Sequence, residues 1–327
     1  AVGEVMDVAD CVAWLQGKAS FARGIHPPTS KRATAERPIE VLPDPPQVVV
    51  PLHQHAGAPA RCAVKPRAIV QCGERIGVAE GAIGAHVHAS LAGKVLPLTA
   101  VNVPNGRHSL AVPIQGEDGP VRSASGKSEE DPRRQERPEA AERGHFERLF
   151  GGEWPADEAM RFFPRDILAA IQTAGIVGLG GAAFPAHVKL KPVPTRPVDT
   201  LLLNGCECEP YLTADYRLML EAPRAVVTGL LLAMKSVGAQ RGVIAVEDNK
   251  PAAVESMRKA AEEMDDQQRL RVAVCQTKYP MGGERQLIPA VFGYEVPTGG
   301  FPLDVGIVVI NVGTAATIAA AVLRGHP

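Results

Sequence analysis

Apolar and polar positions fall into two regimes along the chain. From Val48 to Val101 they alternate in short runs broken by turn residues, as in R-C-A-V-K-P (61–66), E-R-I-G-V-A-E-G (74–81) and A-H-V-H-A-S-L-A-G-K-V-L (85–96), which predicts a small all-β unit. Beyond residue 164 the period changes. Ile167, Leu168 and Ile171 mark a helix opened by Pro164 and Asp166, and Thr200–Leu203 is a short apolar strand. A helix-rich stretch follows and stops at Gly238. R-G-V-I-A-V-E-D (241–248) is a strand, Pro251–Met264 a helix, and R-L-R-V-A-V-C-Q (269–276) another strand. D-V-G-I-V-V-I-N (304–311) is a last apolar strand, and the closing helix stops at Gly325. Strand, helix, strand in this order predicts an α/β layer with a parallel sheet and right-handed crossovers, whose loops gather at the carboxyl ends of the strands.

Between these regimes the periodicity lapses. Residues 24–60 are dense in proline and read as an extended strap lying over another domain. Residues 116–148 are dominated by charge, Gly, Pro and Ser, which reads as a solvated linker or insertion. Residues 1–23 hold one short helical pattern, D-V-A-D-C-V-A-W-L. The expected division is therefore 1–23 as an extension, 24–115 as strap and β domain, 116–150 as linker and 151–327 as the α/β domain.

With 35 Lys and Arg against 36 Asp and Glu, the chain carries no overall basic field, which argues against nucleic acid as a partner. No apolar run is long enough to span a bilayer, and residues 1–23 lack the pattern of a secretory signal, so the chain reads as cytoplasmic. Aromatic residues make up only 4%, so the cores must rest on Val, Leu, Ile and Ala. None of the six cysteines forms a C-x-x-C pair, so no zinc or iron–sulfur site is expected within these residues.

The densest chemistry lies in A-G-I-V-G-L-G-G-A-A-F-P-A-H-V-K-L (174–190). Gly175, Gly178, Gly180 and Gly181 let backbone N–H groups approach an anion, with Phe184 as a flat face and Lys189 as a point charge beyond them. The spacing is neither G-x-G-x-x-G nor a Walker loop. Polar groups also collect where strands end: Asn204, Glu207 and Glu209 in N-G-C-E-C-E-P, and Asn311 and Thr314 after the last strand. Gly283 and Glu284 stand just before a helix in Y-P-M-G-G-E-R-Q-L-I. The pairs His53/His55 and His86/His88 could share a strand face, but no third metal ligand is apparent, and they read as structural. No nucleophile–base pair stands out as catalytic.

Four of these stretches, G-x-x-G-x-G-G-A-A-F-P-x-H-x-K, N-G-C-E-C-E-P-Y-L-T-A-D-Y-R-L-M-L-E, Y-P-M-G-G-E-R-Q-L-I and F-P-L-D-V-G-I-V-V-I-N-V-G-T-A-A-T-I, strongly resemble the RnfC family, a subunit of the Rnf ion-translocating electron-transport complex. More distantly they are similar to the NADH-binding flavoprotein subunit of respiratory complex I. The resemblance covers about residues 20–327, lapsing over 116–148.

It implies that the β unit is a flattened barrel-sandwich of the biotinyl and lipoyl carrier type. Its hairpin tip, near Gly81–Ala85, holds no lysine for a carried group. It also implies that FMN binds with Gly178, Gly180, Gly181 and Lys189 toward phosphates, Phe184 stacked on the nucleotide, and Asn204, Asn311 and Thr314 hydrogen-bonded to the flavin. Glu207, Glu209 and Glu284, beside Gly283, would border NAD(H), an acidic rim that disfavours the 2′-phosphate of NADP. The family chain continues into a β-grasp-like domain and a ferredoxin-like domain with 4Fe-4S clusters, so this sequence reads as part of a longer chain. The implied partners are the other subunits of the membrane complex and, indirectly, ferredoxin, with the protein peripheral on the cytoplasmic side of the inner membrane. Ala183, Ala186 and Cys206 depart from the family pattern, Ala183 adding a methyl to the glycine-rich loop. Two readings stand: a flavoprotein arm exchanging electrons between NAD(H) and ferredoxin-side clusters, or a scaffold that keeps the fold without flavin.

Overall fold

The computed structural model describes residues 19–103, 106–116 and 144–327. The short helical pattern near the start and most of the charged linker lie outside these residues. The linker's last part does not stay irregular: Gly144–Phe150 is a helix with Phe146 buried and its ring 5.5 Å from that of Phe150. Phe146, Leu149 and Phe150 supply one apolar face at spacings of three and four, which the preceding run of charge masks in the sequence.

The chain forms two units. One comprises the described part of Glu40–Gly152 with Ala169–Val188 and Ala320–Pro327. Its strands are β1 (Gln47–Pro51), β2 (Arg61–Cys62), β3 (Ile69–Val70), β4 (Arg75–Val78), β5 (Val87–His88), β6 (Gly93–Val95), β7 (Thr99–Asn102) and β8 (His108–Gly116). They make two antiparallel sheets, β1-β8-β6-β3 with β7 also on β8, and β2-β4-β5. The nine-residue β8 is the spine, paired with β1 from Ala111 to Gln115 and with β7 from His108 to Ala111. Leu52, Val70, Ile76, Val95, Val112 and Ile114 fill the core with branched aliphatic side chains and no aromatic ring. β4 and β5 pair as a hairpin whose tip carries Gly81–Ala85, as expected.

The other unit comprises residues 19–39, Glu153–Leu168 and Lys189–Ala319. Its four strands, β9 (Thr200–Gly205), β10 (Arg241–Glu247), β11 (Leu270–Cys275) and β12 (Ile307–Asn311), are all parallel in the order β11-β10-β9-β12. Helices α1 (Ala214–Glu221) and α2 (Pro223–Val237) connect β9 to β10, α3 (Pro251–Met264) connects β10 to β11, and α4 (Glu284–Phe292) precedes β12. Helix α5 (Val312–Arg324) closes the chain. Leu201, Leu202 and Leu203 are fully buried, because a parallel sheet is covered on both faces. Helix α2 is buried nearly all round, and Gly229 lets it press on α5: a Cβ there would stand 1.7 Å from the Ala315 carbonyl oxygen. Among the described residues no helix is long and apolar enough to cross a membrane.

Residues 24–39, the head of the proline-dense strap, belong to this α/β unit. Ala19 bridges the edge strand at Cys275, Ile25 and Tyr279 exchange backbone hydrogen bonds at 2.8 and 3.0 Å, and Arg217 donates to the Ala35 carbonyl at 3.1 Å. The strap is extended except for one turn at Lys31–Ala33. Prolines deny it a ladder of its own, so it takes its hydrogen bonds from the surface beneath.

Candidate functional site

In the sheet order β11-β10-β9-β12, the chain steps from β9 outward through β10 to β11 and then returns to the other side of β9. The switch point lies between β9 and β12, where open α/β sheets leave a crevice at the carboxyl ends of their strands. Asn204 and Asn311 stand opposite one another in register there. Each amide is engaged at both ends. Asn204 donates to the Gly282 carbonyl at 2.8 Å and accepts the Cys206 N–H at 3.0 Å. Asn311 donates to Asp215 Oδ2 at 2.6 Å and accepts the N–H groups of Gly313 and Thr314, capping α5.

Glu207 turns inward just after β9. It is 4% exposed; its Oε1 accepts the Asp215 N–H at 2.9 Å, while Oε2 is buried with no protein partner. Burial raises its pKa, an effect opposed by the Asp215 N–H and by the charges of Lys31 and Lys250. Asp215, from the first turn of α1, is pushed up to about 6 by burial first and by Glu207 next. The third wall comes from the end of β10, where fully buried Glu247 pairs with Lys250. Lys250 also points at the Glu207 carbonyl at 3.5 Å, and Glu247 Oε1 is a second buried oxygen without a protein partner. From the strap, Lys31 donates to the carbonyls of Glu209, at 2.8 Å, and Leu212. Burial lowers its pKa.

Of the residues singled out in the sequence, Asn204, Glu207 and Asn311 are brought together at this edge. Asp215, Glu247, Lys250 and Lys31, not singled out there, join them. Glu247 and Lys250 left a signal, since they follow directly on the apolar run of β10; Asp215 and Lys31 left none, because only tertiary packing brings them in. Glu209 is exposed and contributes its backbone to the Lys31 contact. Glu284 and Lys189 face each other at 3.5 Å, so the expected phosphate-facing lysine is paired with one of the expected rim carboxylates. Gly283 is the N-cap residue just before α4, and Thr314 is buried in the first turn of α5. Cys206 and Cys208 are structural in environment: a hydrogen bond with Cys275 and burial raise the first thiol's pKa well up, and burial raises the second.

The glycine-rich loop belongs to the β-sandwich unit. It is closed at its neck by hydrogen bonds from Gly178 N–H to the Phe184 carbonyl and from Ala186 N–H to the Ile176 carbonyl, each 2.9 Å. Gly175 and Gly181 have positive φ, and a Cβ on Gly181 would meet nothing within 4 Å, so the loop's outer rim at Gly180 and Gly181 is open. Phe184 is half-buried beside it. Ala183 holds φ 48°, a left-handed conformation that glycine adopts without cost and alanine does not.

These two assemblies define a class of protein: a small β sandwich joined to a parallel α/β domain that presents polar groups at its switch point. Residues 19–119 match the family described as the RnfC barrel sandwich hybrid domain, and residues 171–320 match the Nuo51 FMN-binding domain. Over 94% of its length the chain is 42% identical to the C subunit of the Na+-translocating ferredoxin:NAD+ oxidoreductase complex of Acetobacterium woodii. It is 40% identical to the corresponding subunit of the proton-translocating complex of Clostridium ljungdahlii, and 34% to that of the ion-translocating oxidoreductase complex of Rhodobacter capsulatus. The chain thus resembles members of the RnfC family along nearly its whole length. It spans 63%, 61% and 54% of those relatives' own lengths. Among solved structures, a chain of an NAD+-reducing nickel–iron hydrogenase overlaps 52% of this chain and 33% of its own at 26% identity, with a TM-score of 0.47.

Proposed function

We propose that this chain is the FMN- and NAD(H)-binding part of a peripheral subunit of an ion-translocating, membrane-bound electron-transport complex. In this reading it exchanges electrons between NAD(H) and ferredoxin-side 4Fe-4S clusters carried outside these residues, on the cytoplasmic side of the cell membrane. The observation that carries the reading is Glu207 Oε2, a buried, unpartnered acceptor at the switch point of a parallel sheet, within the stretch that matches an FMN-binding domain. A buried acceptor without a donor is costly, and a nucleotide hydroxyl or amide N–H supplies one. Glu247 Oε1 fits the same demand.

The flavin, when bound, supplies the hydride chemistry; the protein supplies position and charge. Glu207 accepts hydrogen bonds from the ligand, the charges of Lys31 and Lys250 oppose the rise in its pKa that burial causes, and Asn204 and Asn311 fix the strand ends rather than pointing free amides outward. Gly180 and Gly181 offer N–H groups to a phosphate, with Phe184 as the stacking face, whereas the Gly178 N–H, expected to do the same, is engaged by the Phe184 carbonyl. Glu209 and Glu284 complete an acidic rim that disfavours a 2′-phosphate. The engagement of both asparagine amides and the Lys189–Glu284 pair favour the second reading, a scaffold that keeps the fold without flavin.

Titrating NADH and NADPH into the chain separates the two. The flavoprotein reading expects NADH to bind about a hundredfold tighter, the size of roughly 3 kcal/mol of like-charge repulsion, and expects Glu207→Gln to weaken NADH. Equal affinities that Glu207→Gln leaves unchanged favour the scaffold.

A further inference from the structure

Neither the match to an FMN-binding domain nor the carrier-like shape of the β sandwich says what that sandwich does here, since its hairpin tip holds no lysine. We propose that it is a brace that holds the glycine-rich loop in its open conformation, through the two histidine-flanked segments His53–Ala56 and His86–His88.

Three contacts carry this. First, the Ala56 N–H donates to the Ala183 carbonyl at 2.9 Å, and Ala183 is the loop residue in the left-handed region. A non-glycine residue persists there only when its surroundings fix it, and this hydrogen bond is such a fixture. Second, the His86 carbonyl presses on Gly175, where a Cβ would come within 2.3 Å of its oxygen. Glycine at 175 is therefore required by the hairpin as well as by its own φ of 68°. Third, the imidazoles of these two segments are tied to the sandwich's own backbone. His55 Nε2 lies 2.9 Å from the Ala58 carbonyl, and His86 Nδ1 accepts the Ala79 N–H at 3.0 Å. His88 lies against Thr173, at the end of the helix that leads into the loop, and its pKa is pushed down to about 4, burial being the largest cause. Burial likewise lowers His86 and His187, the latter in the short helix Ala186–Lys189 that follows the loop.

The consequence is that the loop's shape is a property of the sandwich and not of its glycines alone. Ala56→Pro removes the N–H that holds Ala183; Gly175→Ala pushes the hairpin off the loop from the other side. In both variants hydrogen exchange at Gly178 and Ala186, whose N–H groups close the loop's neck, should speed up about tenfold, the expected loss of a local opening free energy of roughly 1.4 kcal/mol. Exchange at Val112 and Ile114, in the β8 ladder, should not change, and it reports whether the sandwich itself has folded. Ala183→Gly, which removes the need for the brace, should recover most of the slow exchange in the Ala56→Pro background.

Unchanged exchange at Gly178 and Ala186 in both variants, with the β8 ladder intact, overturns the brace. If β8 also exchanges faster, Ala183→Gly decides: recovery at the loop supports the brace, and no recovery overturns it. The brace bears on function only through the flavin reading above, and the two fail separately. Flavin occupancy that does not follow loop exchange counts against the loop as a phosphate site, while the exchange data stand by themselves.

Discussion

The Asn311 amide donates to the Asp215 carboxylate at 2.6 Å, tying the end of β12 to the first turn of α1 across the carboxyl edge of the sheet. The partner it holds is an acid whose pKa is raised by burial and by Glu207 to about 6, against an unfolded value of about 3.9. A raised folded pKa means that the proton is bound more tightly in the folded state. The stability this confers is fully present below about pH 4 and is lost as pH rises through about 6.

Asp215→Asn should therefore stabilise the protein near pH 7.5, by about 1 to 2 kcal/mol, and flatten the stability profile between about pH 4 and 6. Urea unfolding at pH 4.5 and 7.5 reads this directly. The same slope in wild type and variant would mean that Asp215 titrates normally.

Glu247 and Lys250 form a buried pair at the end of β10. Lys250→Met leaves Glu247 without its charge partner and Glu207 with Lys31 alone, and should cost about 3 to 5 kcal/mol, whereas the double change Glu247→Leu with Lys250→Met should cost much less. A double-mutant cycle in denaturant gives both numbers. Additive losses would show that the two groups do not depend on each other.

Lys31 reaches from the strap to the carbonyls of Glu209 and Leu212. If that loop borders the dinucleotide, Lys31→Met should weaken NADH about tenfold while lowering global stability by less than about 1 kcal/mol. The check is a titration alongside a thermal melt. A variant that loses stability and keeps its affinity would make Lys31 a clamp of the fold only.

The α/β unit was legible because its signals are local. Pro251 at the head of α3 and Gly238 after α2 mark helix limits in the sequence, and the apolar runs of β9, β10 and β12 are those of strands covered on both faces. The candidate site was half legible. Asn204, Glu207 and Asn311 stand at strand ends, but the partners that assemble them are Gly282 for Asn204 and Asp215 for both Glu207 and Asn311, and no period or spacing in the sequence announces those pairings. The carriage of the glycine-rich loop by the β-sandwich unit was not legible. It rests on the Ala56–Ala183 hydrogen bond between residues 127 positions apart, which no period or spacing encodes. The helix Gly144–Phe150 was hidden for the opposite reason, a local apolar face at the end of a charged run.

Whether these residues hold a flavin is measured most directly by the absorbance spectrum of the chain after incubation with FMN and gel filtration, compared with Gly180→Val, which fills the loop's open rim. The predicted result is a flavin band that stays with the wild-type protein at close to one FMN per chain and is lost from a folded Gly180→Val variant. A wild-type chain that emerges free of flavin contradicts the flavoprotein reading and leaves the scaffold.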